Sequence, residues 1–315
     1  MRTTISTLLA VTALALSVQA QITTEQKKDR LRVLVGGKLF TEYRGDTRVP
    51  CLYPLMSPSG THLTRQFPFE NGVKGEASDH KHHAGFWFTH GNVNGKDFWH
   101  KEDCKIVHKG FIQAPVVRKG SAGKAGGVTF AVNLAWEADG RSHLSEVRTY
   151  NMTIGDKTRT IDVTSVLSAP EADAVFGDTK EGSFSIRTTP SLRLTGEVAK
   201  GHILTSEGFT DKEAWGKRAK WVAYYGPDGK GTPAVIAILD HSKNLRHPTW
   251  WHARDYGLLT ANPFGIRAFE GKKAKESGNY TLKKGQGLTQ RYRLILHEGD
   301  LESAQIEKQW KEFVK

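Results

Sequence analysis

Histidine, arginine, tryptophan and carboxylates crowd into three stretches of this chain, each beside glycines. Ser78–Trp99 reads SDHKHHAGFWFTHGNVNGKDFW and holds Asp79, His80, His82, His83 and His90 among Phe86, Trp87, Phe88 and Trp99. Gly177–Arg187, GDTKEGSFSIR, holds Asp178, Lys180, Glu181 and Arg187, and His247–Gly265, HPTWWHARDYGLLTANPFG, holds Trp250, Trp251, His252, Arg254, Asp255 and Asn262. Six of the 13 histidines lie in the first and third stretches. Imidazole titrates near neutrality, so it can exchange protons with a hydroxyl, a ring oxygen or a carbon acid. A nearby Glu or Arg sets its protonation or stabilises an oxyanion, and indole faces stack on the C–H surfaces of pyranose rings. Trp250–Arg254 brings all three residue types within five positions. Adjacent strand residues face opposite ways, so one of the two tryptophans is expected in the core. Arg254 or Asp255 reads equally well as half of a surface ion pair.

Metal chemistry is the competing reading. In an extended segment His80 and His82 point the same way and His83 the opposite way. The spacing resembles the His-x-His of cupins, yet no Glu follows at the distance such a site needs. No cofactor is therefore expected, and a divalent ion at His80 and His82 stays as the alternative. The chain has no Gly-x-Ser-x-Gly elbow, no P-loop, no GxGxxG after a strand and no His-Glu-x-x-His. Paired carboxylates of a glycosidase stay open, with Asp79, Asp178, Glu181 and Asp255 as candidates, because their separation is a property of the fold.

The elements that must position these residues read as strands. Arg32–Val35 and Lys38–Arg44 flank Gly36-Gly37, the pattern of a hairpin whose two turn residues take positive φ. Between Val128 and Ser168, alternating apolar residues and turns at Ala138-Asp139-Gly140 and Gly155-Asp156 predict an antiparallel meander. Further strands are predicted at Ser183–Thr188, Ser191–Thr195, Trp221–Tyr225, Ala234–Asp240 and Arg291–His297, with a turn at Gly226-Pro227-Asp228-Gly229. One helix is predicted at the C-terminus, capped by Asp300, with Leu301, Ile306, Trp310 and Val314 at near-helical spacing. Val117–Gly127 reads as a long hairpin loop rather than a boundary between domains. The inventory predicts an all-β protein, a large antiparallel β-sandwich with a short C-terminal helix.

With 315 residues, 38% hydrophobic and 25% charged, the chain has the composition of a packed globular protein rather than a disordered one. Met1–Ala20 has the positive start, apolar centre and Val18-Gln19-Ala20 ending of a secretory signal. The expected organisation is thus a signal peptide over 1–20 and one β-sandwich domain over 21–315, in the periplasm or outside the cell. Beyond residue 20 no apolar run approaches membrane-spanning length, which excludes a helical integral membrane protein. The formal charge of +12 would draw anionic partners, but its lysines and arginines are scattered, and export argues against nucleic acid. Neither nucleic acid nor membrane is expected as a partner. Cys51 and Cys104 suit a disulfide in that compartment, with two buried thiols as the equal alternative.

The three stretches, with the closing RYRLILHEGD, resemble the PmoA family, now described as a domain of unknown function, DUF6807. The resemblance runs from about Pro50 to about Asp300. The older label, methane oxygenase, belongs to a subunit of a membrane-bound copper enzyme, and a chain without transmembrane helices does not fit it. The resemblance implies a secreted, carbohydrate-associated protein with a sandwich similar to the galactose-mutarotase-like supersandwich. The motif positions carried over are His80, His83, Glu181, Arg187, His252 and Asn262. They are expected to converge at one end or on the concave face of the sandwich. There His83 and His252 would form an acid–base pair, with Glu181 orienting one of them or acting as base. His80 joins the catalytic candidates, and Arg187 would hold an anionic or oxyanionic group. Asn262 and Trp251 would position the ring, with Arg254 beside them. The expected function is a carbohydrate-active enzyme that cleaves an oligo- or polysaccharide, acidic ones included, as hydrolase or lyase, or epimerises a sugar. The alternatives are a non-catalytic glycan-binding protein and a metal-dependent, cupin-like oxygenase.

Overall fold

The computed structural model describes residues 21–121 and 124–315; the predicted signal segment lies outside them. In chain order the strands are Ile22–Gln26 (β1), Arg30–Val35 (β2), Lys38–Arg44 (β3), Cys51–Leu55 (β4), Phe86–His90 (β5), Lys105–Arg118 (β6), Gly126–Ala138 (β7), Arg141–Ile154 (β8) and Thr158–Ser168 (β9). They continue with Ala174–Phe176 (β10), Gly182–Arg187 (β11), His202–Thr205 (β12), Trp221–Pro227 (β13), Pro233–Asp240 (β14), Trp250–Trp251 (β15), Leu258–Asn262 (β16), Tyr280–Leu282 (β17) and Gly287–Glu298 (β18). Short helices lie at Ile266–Glu270 (α1), Leu301–Ala304 (α2) and Ile306–Phe313 (α3).

Two eight-stranded antiparallel sheets make the sandwich. The first runs β1-β2-β3-β4-β5-β11-β16-β15 and the second β12-β13-β14-β18-β9-β8-β7-β6. One hydrophobic cluster draws on both. Phe184 of β11 stacks on Tyr292 of β18 with ring centres 4.7 Å apart, and Phe88 of β5 meets Trp136 of β7 edge-on at 5.8 Å. The cross-sheet core also holds a buried ion pair. Glu146 accepts from Arg148 Nε at 2.6 Å, Trp136 Nε1 at 2.9 Å and Ser165 Oγ at 2.7 Å, while Arg148 reaches across to the Pro50 and Phe88 carbonyls of the first sheet.

The sequence patterns map closely onto these elements. Val35 pairs with Lys38 around Gly36 and Gly37, whose φ values are 57° and 74°. Both are positive, as a two-residue primed turn requires. The meander is β7-β8-β9. The strand expected at Ser191–Thr195 is absent: Pro190–Leu192 forms a turn of 3₁₀-helix instead, because proline at its start presets a helical φ. The single C-terminal helix is two short ones. Asp300 caps the first by accepting from Ser303 N at 2.8 Å, and Gln305, left-handed at φ 50°, breaks the run before α3. Cys51 and Cys104 are both free and buried, and burial pushes the Cys51 thiol up to about 12. No helix among the described residues is long and apolar enough to cross a membrane.

Candidate functional site

Strand alternation gives the first sheet two unlike faces. Phe86, Phe88, Phe184 and Ile186 turn toward the second sheet. Trp87, Thr89, Ser183, Ser185, Arg187, Thr260 and Asn262 occupy the opposite face. Thr260 donates to Ser185 Oγ at 3.0 Å across β16 and β11. The connections over residues 56–85 and 91–104 fold back over this polar face, and the first histidine stretch arrives with them.

There a ladder of four rings forms. Tyr256 lies 5.9 Å from His80 with planes 13° apart, His80 lies 4.8 Å from His83 at 11°, and His83 lies 5.5 Å from Trp87 at 18°. Trp99 meets His83 edge-on at 5.4 Å, and His82 stands between His83 and His100. Arg65, buried almost completely, holds the histidine loop in place. Its guanidinium donates to the Asp79 carbonyl and carboxylate at 2.9 Å each, to the His80 carbonyl at 2.8 Å and to the His83 carbonyl at 3.0 Å. His80 itself takes a left-handed φ of 45°, sparsely populated for a residue with a side chain.

Hydrogen-bond partners assign the ring nitrogens. An arginine only donates, so Arg187 Nη1 at 3.0 Å makes His83 Nδ1 an acceptor and leaves the proton on Nε2. Burial, then the charges of His82, Arg187, His80 and Arg65, hold His83 well below the ordinary imidazole range. His83 is therefore a neutral donor. His80 is the reverse case. Its Nδ1 lies 2.8 Å from Asp79 Oδ2, so it donates there and its Nε2 lone pair is free, on a side chain 43% exposed. Burial works to raise the Asp79 carboxyl. The His80 hydrogen bond and the charges of Arg187 and Arg65 outweigh it and hold the carboxyl below its usual range. The result is a carboxylate-oriented imidazole open to solvent, backed by a neutral imidazole and a guanidinium.

The other motif residues form a second group at the far end of β11. His252 Nδ1 donates to the Lys180 carbonyl at 3.1 Å, leaving Nε2 buried and without a partner. Burial lowers His252 to about 4 against the opposing charge of Glu181. Glu181 pairs with Lys180. Asn262 donates to the Thr179 carbonyl at 2.8 Å and accepts from Phe264 N at 2.9 Å, so it ties the chain around 177–181 to the turn that follows β16. Asp178 accepts from the backbone of Arg267, Ala268 and Gly278 and is structural. Gly182 is dictated by contact: a Cβ there would sit 2.3 Å from His90 Nδ1. His90 donates Nε2–H to the Gly177 carbonyl at 2.8 Å.

Tyr256 joins the two groups. The Arg187 guanidinium lies 4.5 Å from its ring centre and that of Arg254 at 5.2 Å, both within cation–π reach. Burial raises its phenol, Arg254 and Arg187 oppose this, and Glu181 from one group and Asp79 from the other reinforce it. Six buried polar atoms on this side of the sheet have no partner within the protein: Arg65 Nε, His82 Nε2, Trp99 Nε1, Ser183 Oγ, Arg187 Nε and His252 Nε2.

The expected residues thus fall into distinct positions. His80, His83 and Arg187 converge. His252, Glu181 and Asn262 gather separately, and the histidine pair expected from the motifs is divided between the two groups. Trp251, expected to position a sugar ring, is a correction: it is fully buried in the intersheet core and its indole N–H donates to the Ala219 carbonyl at 2.9 Å. Trp250, on the opposite face, is covered by Arg218 at 4.4 Å. Neither is an open platform. Among the described residues no three or more His, Cys, Asp or Glu side chains are grouped as a metal ion requires, and the His80 and His82 rings cross edge-on at 5.6 Å. Arg65 and Tyr256 stand outside the predicted set. Tyr256 lies within the third stretch, whereas nothing near Arg65 in the sequence distinguishes it.

The chain matches DUF6807, a family of unknown function, over residues 30–311. No curated protein matches it. Among solved structures, a glycoside hydrolase family 97 enzyme in complex with acarbose, from Pseudoalteromonas sp. strain K8, is similar at 11% identity and a TM-score of 0.34. That overlap covers 89% of this chain and 34% of the other, so the chain spans about a third of that enzyme's length. A galactose mutarotase related enzyme from Lactobacillus acidophilus is similar at 11% identity and a TM-score of 0.27, covering 89% of this chain and 99% of that one.

Proposed function

We propose that this chain, which belongs to the DUF6807 family, is a carbohydrate-active enzyme that cleaves an acidic oligo- or polysaccharide by β-elimination. The Asp79–His80 dyad carries the reading: the carboxylate, 2.8 Å from the ring, fixes the imidazole tautomer and presents an unencumbered Nε2 on a side chain 43% exposed, between the Tyr256 and His83 rings. A base held this way is poised for proton abstraction. His80 Nε2 takes the proton from the carbon next to a uronate carboxyl group. The developing enolate is stabilised by the neutral His83 Nε2–H and the guanidinium charge of Arg187 behind it. As the C–O bond to the next sugar breaks, the Tyr256 phenol gives its proton to the departing oxygen. An unsaturated sugar and a free hydroxyl result, and solvent takes the proton from His80 and gives one back to Tyr256.

Hydrolysis by paired carboxylates fits less well. Its general acid needs a raised pKa, whereas Asp79 is held low and Glu181 is paired with Lys180. His252, Glu181 and Asn262 act in this reading as positioning residues for the 177–182 segment and the Tyr256 side of the site. Read with the export signal, the substrate is met in the periplasm or outside the cell. The test is turnover of polygalacturonate and of a neutral glucan, following unsaturated product and reducing ends together. His80→Ala is expected to lower the elimination rate by about 10²–10⁴-fold with the fold unchanged by circular dichroism. Reducing ends without unsaturated product would replace elimination by hydrolysis, and an active His80→Ala would remove His80 from the mechanism.

A further inference from the structure

Away from the ring ladder, a cavity of about 700 Å³ opens where the ends of both sheets meet. That volume lies within the range of small-ligand sites. It begins just past the candidate site, since Gln66 follows Arg65, and Thr189 and Pro190 come soon after Arg187. The turn between β13 and β14, around Asp228 and Lys230, closes the other side.

We propose that this cavity is a second saccharide-binding site, selective for a uronate-bearing oligosaccharide. The inference rests on the reading of the protein as carbohydrate-active and adds a site to it. Three observations carry it. The wall offers both donors and acceptors, with Thr61, Gln66, Thr189 and Ser191 beside the carboxylates of Asp228 and Glu197, as a polyhydroxylated ring requires. Thr61, Ser191 and Asp228 are each more than nine-tenths buried, and each has a side-chain oxygen without a partner. For Asp228 the contrast lies within one carboxylate: Oδ1 accepts from Lys230 N at 2.8 Å and Thr232 N at 3.0 Å, while Oδ2 has no donor. A buried acceptor left without a donor is costly, so these oxygens give the cavity wall hydrogen-bonding capacity that the protein itself does not satisfy. Finally, Lys74 is paired with Glu197 at 3.3 Å, but among the described residues neither Lys200 nor Lys230 has an ion-pair partner. Two free ammonium groups over an acceptor-lined cavity suit a sugar that carries both hydroxyls and a carboxylate.

The test is calorimetric titration of the purified chain with tetragalacturonate and with maltotetraose. Three forms are compared: wild type, the exposed double variant Lys200→Glu/Lys230→Glu, and His80→Ala. Tetragalacturonate is expected to bind wild type and His80→Ala alike, the double variant at least tenfold more weakly, and maltotetraose more weakly than either. Binding lost in His80→Ala but intact in the double variant would place the ligand at the ring ladder and overturn this site while leaving the enzymatic reading standing. Failure of tetragalacturonate to bind, or equal affinity for maltotetraose, would overturn it as well. Binding at the cavity by a protein without turnover would retain this site and remove the enzymatic reading.

Discussion

Three of the site histidines differ in what their nitrogens can do, and the difference comes from their partners. Arg187 makes His83 a donor, Asp79 leaves His80 a base, and a carbonyl leaves His252 with a buried, unpartnered Nε2. His90 and His252 are each lowered to about 4, in both cases first by burial. Unfolding returns such a group to its ordinary value of 6.5. Between these values the unfolded chain binds more protons than the native one, so the stabilisation is complete above about pH 6.5 and is lost as the pH falls toward 4. For the fully enclosed His90 the loss is on the order of 3 kcal/mol. Urea unfolding at a series of pH values should show stability falling across this window, and His90→Gln should flatten the slope by about one proton. A wild-type stability independent of pH there would contradict the buried neutral state of both rings.

Strands do the positioning, and the second sheet contributes a polar pin to the first. The Glu146–Arg148 pair projects from β8 into the core, and Arg148 reaches the carbonyls of Pro50 and Phe88. Removing one member leaves a buried charge uncompensated, which typically costs about 3–5 kcal/mol. Glu146→Ala is expected to destabilise by that amount in denaturant titration, and Glu146→Leu/Arg148→Met to recover most of the loss, because two apolar side chains need no partner. If the double variant is as unstable as the single one, the pair acts through the Trp136 and Ser165 hydrogen bonds rather than through its charges. Either variant should leave the ring ladder's chemistry intact at temperatures where the protein stays folded.

Across the whole molecule, the two sheets bury their facing sides against each other, and the outer side of the second is covered near its middle by the C-terminal helices. Trp221, Val235, Ala237, Leu239 and Ile295 meet Ile306 and Ala304, and Trp310 Nε1 donates to the Asp240 carbonyl at 2.9 Å. Deleting residues 301–315 would uncover this apolar patch. The truncated chain is expected to unfold at lower denaturant concentration and to bind a hydrophobic dye in buffer. An unchanged unfolding midpoint would show that the helices add no stability to the sandwich.

Alternation, paired glycines and turn residues are local properties. They were enough to read the antiparallel β architecture, the Gly36-Gly37 hairpin, the β7-β8-β9 meander and the Asp300 cap from the chain itself. The crowding of His, Arg, Trp and carboxylates marked the three stretches that hold most of the polar face. Short or irregular strands such as β4, β12 and β15 carry too few residues for a period to show. How the stretches combine became legible only in three dimensions. His80 is joined to Asp79 by a turn in a left-handed conformation, Arg65 reaches the histidine loop from outside every motif, and Trp251 faces the core while His252 does not. Which nitrogen of a histidine bears the proton depends on a partner that register and loop packing bring to it from a distant part of the chain, and no local pattern encodes that partner.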